Sequence, residues 1–224
     1  MLTTTEAILA FIAWIPITIG ITWISLGDVG VMTFAPIWVL SLIYPFMKRI
    51  IPFPQVVLGA VIGGAVFPGW ASITNSLEGL DQALPLFAAV FFWVVYFDVF
   101  YATQDTPDDK KVGVKSLAVL LGSKAWIFLA FLGLLQITFF VVTAFKAKMS
   151  LIFWVFGVGV WAGNIPWHVL SLDVSDRNSG GRIFKANIIL GLYMTAVALV
   201  ELVVTHVNIP SLQHLFKLQV NELR

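Results

Sequence analysis

The chain reads as long apolar stretches cut by short polar ones. Seven stretches, at 6–26, 31–44, 55–71, 84–103, 125–145, 149–170 and 184–207, are nearly free of charge. A helix rising 1.5 Å per residue needs roughly 20 apolar residues to cross a bilayer core, and these stretches reach or approach that length. The pattern predicts an all-α, multi-pass transmembrane bundle of about seven spans, in one domain over residues 1–224. The second stretch is the shortest, and it is expected to stop at Tyr44-Pro45, because proline cannot continue the intrahelical ladder. The third carries Gly59, Gly63 and Gly64, and small residues at this spacing let helices approach closely in lipid. Asn164 and Asn187, inside spans, are expected to bond across helices. His168, His206 and His214 are scattered without metal-ligand spacing. His168, close after Pro166, is expected to be a polar cap on a kinked helix. Beyond Pro210, Leu212, Leu215, Phe216 and Leu218 stand among polar residues, as in an amphipathic segment lying on a membrane surface.

Composition agrees with the pattern. Hydrophobic residues make up 59% and charged residues 11%, where a soluble domain has about half and a quarter. So few charges cannot cover a core in water, so the apolar surplus faces lipid. A net charge of +1 gives no field to gather nucleic acid. The absence of cysteine excludes disulfides, thiolate metal sites and a cysteine nucleophile. Met1 to Glu6 holds no Lys or Arg and no cleavage pattern, so the first stretch is expected to be a permanent span. If the polar segments alternate between two sides, nine of the 13 basic residues fall on one side, including Lys48, Arg49, Lys110, Lys111 and Lys115. By the positive-inside rule that side is cytoplasmic. An endomembrane is expected, with the mitochondrial inner membrane as the alternative.

The chemistry gathers on that side. Asp98, Asp105, Asp108 and Asp109 fall within twelve residues. On a helix, residues seven apart share a face with a drift of about 20°, which joins Asp98 to Asp105. A carboxylate near the end of a span is costly and marks a functional site by default. Hard oxygen ligands of this kind suit Mg²⁺, which takes one or two carboxylates together with substrate phosphates. Thr106-Pro107-Asp108-Asp109 also has the form of a helix start, with Thr as cap and acids in the first turn. For Asp108 and Asp109 the capping and metal readings stand level.

The run Asp98-x₂-Tyr101-Ala102-x₂-Asp105-x₂-Asp108-Asp109-x₃-Gly113-x-Lys115-Ser116 resembles the second aspartate-rich motif of the UbiA family of membrane prenyltransferases. Tyr44-Pro45-x₂-Lys48-Arg49 with Pro54-Gln55-x₂-Leu58-Gly59 resembles the family's middle loop and next helix. The region from Asp173 to Gly191 resembles its last loop and helix, and Ser179-Gly180-Gly181-Arg182 is similar to fungal secondary-metabolism members. The resemblance implies transfer of an isoprenyl group, such as farnesyl, from its diphosphate to an aromatic or polyketide-derived acceptor in terpenoid or meroterpenoid biosynthesis. It implies Mg²⁺ on Asp98, Asp105 and Asp109, and diphosphate on Lys48, Arg49 and Lys115. Tyr101, with Phe91, Phe92 and Trp93, would be near the allylic cation, and for each of these aromatics packing or interface anchoring is the competing role. For Lys48 and Arg49, contact with lipid headgroups is the competing role. A terpene cyclase on the same scaffold and a non-catalytic membrane protein remain open alternatives. The family has about nine helices and an Asn-Asp-x-x-Asp type motif at the end of its second. The first stretch here, opening Glu6-Ala7, resembles the third helix. The chain is therefore expected to be N-terminally truncated relative to the family, without two helices and the first aspartate motif.

Overall fold

The computed structural model describes residues 3–113 and 116–206. Lys115, His214 and the tail after Pro210 lie outside the described residues, as do the side chains of Lys48 and His206.

Helix α1, Thr4–Ile50, begins with a capping box, in which the Thr3 hydroxyl accepts from the Glu6 amide and the Glu6 carboxylate accepts from the Thr3 amide. Its apolar part, Ile8–Met47, has 40 residues. That is about 60 Å of helix, twice the bilayer core. Gly27 interrupts it with φ 66° and ψ −166°, a backbone region open in practice only to glycine. Trp23 Nε1 donates to Asp28 Oδ1 across this break at 2.7 Å. The first two predicted spans are thus joined at a glycine kink. The expected stop at Tyr44-Pro45 does not occur: the helix passes Pro36 and Pro45 and ends after Ile50. Breaking a helix in lipid would expose more backbone than the single bond proline removes, so prolines are tolerated there.

Helices α2, Pro54–Gly64, and α3, Val66–Thr74, follow with a bend at Ala65. A short 3₁₀ turn leads to α4, Leu84–Val112. Then come α5, Leu117–Leu121, a 3₁₀ turn, and α6, Ala125–Lys146. Residues 151–170 are helical and comprise a π-helical stretch, Phe153–Gly159, and α7, Val160–Leu170. Helix α8 spans Arg177–His206. The chain is an all-helical membrane protein. Among the described residues five helices are long and apolar enough on their own to cross a bilayer: Ile8–Met47, Pro54–Thr74, Leu80–Val112, Leu117–Lys146 and Arg177–Thr205.

Helix α4 is the hub, packed against α2, α6 and α8. Its buried Val95, Tyr96, Val99 and Phe100 form the main core with Leu129, Trp161 and Ile165. The glycines of α2 allow this. A Cβ on Gly59 would lie 3.0 Å from Phe91 and Val95, and one on Gly63 would lie 3.1 Å from the Phe91 amide nitrogen. Moving forward along α2 thus goes backward along α4. The two helices are antiparallel, and the start of α2 lies at the Asp98 end.

His168 is not a cap. It is fully buried between the rings of Tyr96, Phe100 and Trp167, and neither ring nitrogen has a partner among the described residues. Pro166 leaves α7 intact to Leu170, so the imidazole turns into the core. Asn187 does bond across helices, accepting from Trp93 Nε1 at 3.2 Å. The bond found for Asn164 is to Val160 O of its own helix. At the far end, buried Glu201 of α8 accepts from the amide and hydroxyl of Ser150, at 2.7 and 2.5 Å, and so caps the helix that begins at residue 151.

Candidate functional site

The aspartates share one helix. Helix α4 runs without a break through Pro107 and ends only at Gly113, in the left-handed conformation with φ 72°. The helix-start reading of Thr106 to Asp109 is therefore wrong. The Thr106 hydroxyl donates to Ala102 O at 3.2 Å instead of capping the residues ahead of it. In an uninterrupted helix, spacings of seven and four place Asp98, Asp105 and Asp109 on one face. All three are partly buried. Asp105 and Asp109 are one turn apart, and Asp98 lies about 10 Å further along the axis.

Other elements converge on this face. Tyr44, near the end of α1, is close enough to Asp98 to feel its charge. Arg49 is exposed in the next turn of α1. Gln55, at the start of α2, is 3% exposed, and its Oε1 has no partner among the described residues. The Ser116 hydroxyl donates to Asp109 at 3.4 Å and accepts from the Val119 amide as the cap of α5. This bond sets the start of α5 beside Asp109. Asp108 points elsewhere and pairs with Arg177 at 2.6 Å and Lys111 at 3.3 Å. Both pairs are exposed, so they fix geometry more than they add stability.

Aromatic rings line the approach from the membrane side. Trp93 meets Phe97, Phe97 meets Phe184, and Phe184 meets Tyr101, with centroids 5.0, 5.6 and 5.1 Å apart. Tyr101 is 43% exposed. Helix α8 comes in close because Gly180 and Gly181 have no side chain. A Cβ on Gly180 would overlap the Phe100 carbonyl oxygen and the Thr103 hydroxyl, and one on Gly181 would overlap the Gln104 amide.

The segment before α8 carries two further acids, Asp173 and Asp176. The Asp176 carboxyl is held below the usual carboxylate range by a hydrogen bond from Arg182 and then by the Asn178 amide. The Asp173 carboxyl is held low by the Ser175 hydroxyl and amide.

Among the described residues, no three acidic or imidazole groups gather closely enough to enclose a metal ion by themselves. A row of carboxylates of this kind fits an ion that keeps waters and takes substrate oxygens, which is the habit of Mg²⁺. It does not fit a four-ligand protein cage of the zinc kind. Tyr44, Gln55, Ser116 and Arg177 were not singled out from the sequence as parts of a site, and Asp108, for which capping and metal binding stood level, pairs with Arg177 and Lys111. Tyr44, Gln55 and Ser116 do stand inside the motif stretches quoted above, and that was the available signal.

Comparison with known proteins bears on this arrangement. The model described as the UbiA prenyltransferase family matches residues 1–196. The polyprenyl transferase macG of Penicillium terrestre is 67% identical over 207 residues, covering 92% of this chain and 65% of the relative. The polyprenyl transferase yanG of Aspergillus niger is 65% identical over 208 residues, covering 93% and 63%. The chain thus spans a little under two thirds of the length of these relatives. The apo structure of a UbiA homolog from Aeropyrum pernix K1 superposes with a TM-score of 0.75 at 22% identity, covering 90% of this chain and 74% of that one. A digeranylgeranylglyceryl phosphate synthase superposes with a TM-score of 0.70 at 14% identity, covering 89% and 70%.

Proposed function

The chain belongs to the UbiA prenyltransferase family, and from that premise we propose that it transfers an isoprenyl group from its diphosphate to an aromatic or polyketide-derived acceptor. The observation that carries this reading is the row of Asp98, Asp105 and Asp109 on one face of an unbroken α4, with the start of α2 packed at its Asp98 end. Relatives named polyprenyl transferases support prenyl transfer. Farnesyl diphosphate is the donor in this reading. The aspartate end faces the cytoplasm, on the strength of the basic residues near it, and the membrane is an endomembrane.

Each group has a role in this chemistry. Asp98, Asp105 and Asp109 would hold Mg²⁺ together with substrate oxygens and water, and Arg49, Lys48 and Lys115 would hold the diphosphate oxygens. When bound, Mg²⁺ neutralises the diphosphate and stabilises it as a leaving group. Ser116 orients the Asp109 carboxylate through the bond already described. The breaking C–O bond leaves an allylic cation, and the ring faces of Tyr101, Phe97 and Phe184 stabilise positive charge without reacting with it. The acceptor carbon then attacks, and its proton leaves to solvent at the open end of the site.

Binding of the non-hydrolysable farnesyl thiodiphosphate to the purified chain in lipid nanodiscs tests the site directly. We expect Mg²⁺-dependent binding that weakens at least about tenfold in Asp98→Ala, the loss of more than one charge-assisted contact, while expression and membrane insertion persist. Unchanged binding in Asp98→Ala would remove the aspartate face from the site.

A further inference from the structure

A second polar pocket lies at the aspartate end of the bundle, on a different face of α4. It has a volume of about 330 Å³ and is lined by Thr103, Thr106 and Lys110 of α4, Ser123 of the turn before α6, and Ser175 and Arg177 at the entry to α8. Residues 103, 106, 107 and 110 form one stripe of the helix. That stripe is turned roughly 130° around the axis from the row of Asp98, Asp105 and Asp109. The pocket is therefore separate from the face assigned to the diphosphate. Its donors are cationic. Lys110 has no ion-pair or hydrogen-bond partner among the described residues. Arg177 places Nη2 on Asp108 at 2.6 Å, and a guanidinium has five N–H donors, so others remain for an anion. The acids nearby are already engaged: Asp108 by Arg177 and Lys111, Asp176 by Arg182, and Asp173 by the Ser175 hydroxyl and amide. Thr103 and Thr106 donate to Phe100 O and Ala102 O, which leaves Lys110, Arg177 and Ser123 as the groups that can donate to a ligand.

The depth of the pocket identifies the source of the anion. Trp126, in the first turn of α6, and Trp167, in the last turn of α7, are each 55% exposed. Exposed indoles at helix ends sit at the level of lipid headgroups. Leu170, at the end of α7, is also exposed, and exposed Val174 belongs to the pocket wall itself. Two cations thus stand at headgroup depth beside apolar side chains that are open to lipid. We infer that the pocket binds the phosphate group of an anionic phospholipid, with Lys110 and Arg177 on its oxygens and Val174 against its glycerol end. Basic pockets between spans take anionic headgroups by the same chemistry. The N-termini of α6 and α8, helices of 22 and 30 residues, flank the pocket, and their positive ends add to the attraction. The inference depends on the membrane fold and not on prenyl transfer.

The experiment titrates the purified chain in detergent with fluorescently labelled phosphatidic acid and, separately, with equally labelled phosphatidylcholine. EDTA is present, so that Asp98, Asp105 and Asp109 hold no metal and repel the phosphate. We expect phosphatidic acid to bind more tightly than phosphatidylcholine. Lys110→Gln should weaken its binding about fivefold, the worth of one basic residue at an anionic surface, and Lys110→Arg should keep it. Lys185→Gln removes an exposed cation of the same end that lies outside the pocket, and it should leave the affinity unchanged. Circular dichroism confirms that each variant is folded. Equal binding of the two lipids overturns the inference, because the cations then play no part. Equal losses in Lys110→Gln and Lys185→Gln overturn it too, because the lipid then follows net charge alone. Displacement of the lipid by inorganic phosphate overturns the lipid assignment and makes the pocket a site for soluble phosphate. No isoprenyl diphosphate takes part, so a failure of the Asp98 experiment leaves this result standing, and the reverse also holds.

Discussion

Gly180 sets how near α8 can come to α4. A Cβ there would meet the Thr103 hydroxyl and the Phe100 carbonyl oxygen, and the second is part of a helix backbone that cannot swing aside. Gly180→Ala should therefore destabilise the protein by about 1–3 kcal/mol through overpacking. Gly163→Ala, where a Cβ meets nothing within 4 Å, should be neutral or slightly stabilising. Thermal unfolding in detergent distinguishes them, and equal midpoints for the two variants would contradict the close approach. At this scale the sequence was legible where a residue's chemistry is unusual for its surroundings. Asp98 inside an apolar run was such a signal. Gln136 was not read from the sequence, because its bond from Trp161, 25 residues away, exists only once α6 and α7 are packed together. His168 shows the reverse case. A histidine near a helix end has the look of a cap, and only the rotation of α7 against Tyr96 and Phe100 reveals it as core.

Among the elements, α4 and the segment before α8 carry the argument. Residue spacing has meaning only if the helix is continuous, and Thr106-Pro107 left that open. Local preference pointed to a new helix beginning there. Tertiary packing on three sides carried α4 through the proline to Gly113. The same conflict arose at Pro45, with the same outcome. The apolar stretches were readable because lipid leaves few alternatives to helix. Their joints were not, because Gly27 makes a kink where the polar pattern suggested a loop. The segment 171–176 can be examined through its acids. Asp173 and Asp176 have depressed carboxyl values, so the order they contribute is fully present above the ordinary carboxylate range and is lost as pH falls through the depressed values. Amide exchange of residues 173–182, corrected for intrinsic rates, should show protection at about pH 5 that declines toward about pH 3. Asp176→Asn should lower protection at the higher pH and flatten this decline. An identical profile in the variant would show that the carboxylate does not hold the segment.

For the whole molecule, the fold puts polar chemistry at one end of a lipid-facing bundle and an aromatic cavity behind it. The family was legible from one long motif, whose face is set by a single helix. The cavity was not legible, because its wall is assembled from α4, α6, α8 and the π-helical stretch, which are distant in sequence. The most direct measurement of the central claim follows a labelled isoprenyl group. The purified chain in nanodiscs is given farnesyl diphosphate labelled at its first carbon and a phenolic acceptor. The account predicts label on the acceptor and one diphosphate released per product, abolished by EDTA, restored by Mg²⁺ and absent in Asp98→Ala. Equal diphosphate release without the acceptor, with the label in a cyclic hydrocarbon, would contradict it, as would intact donor binding with no turnover.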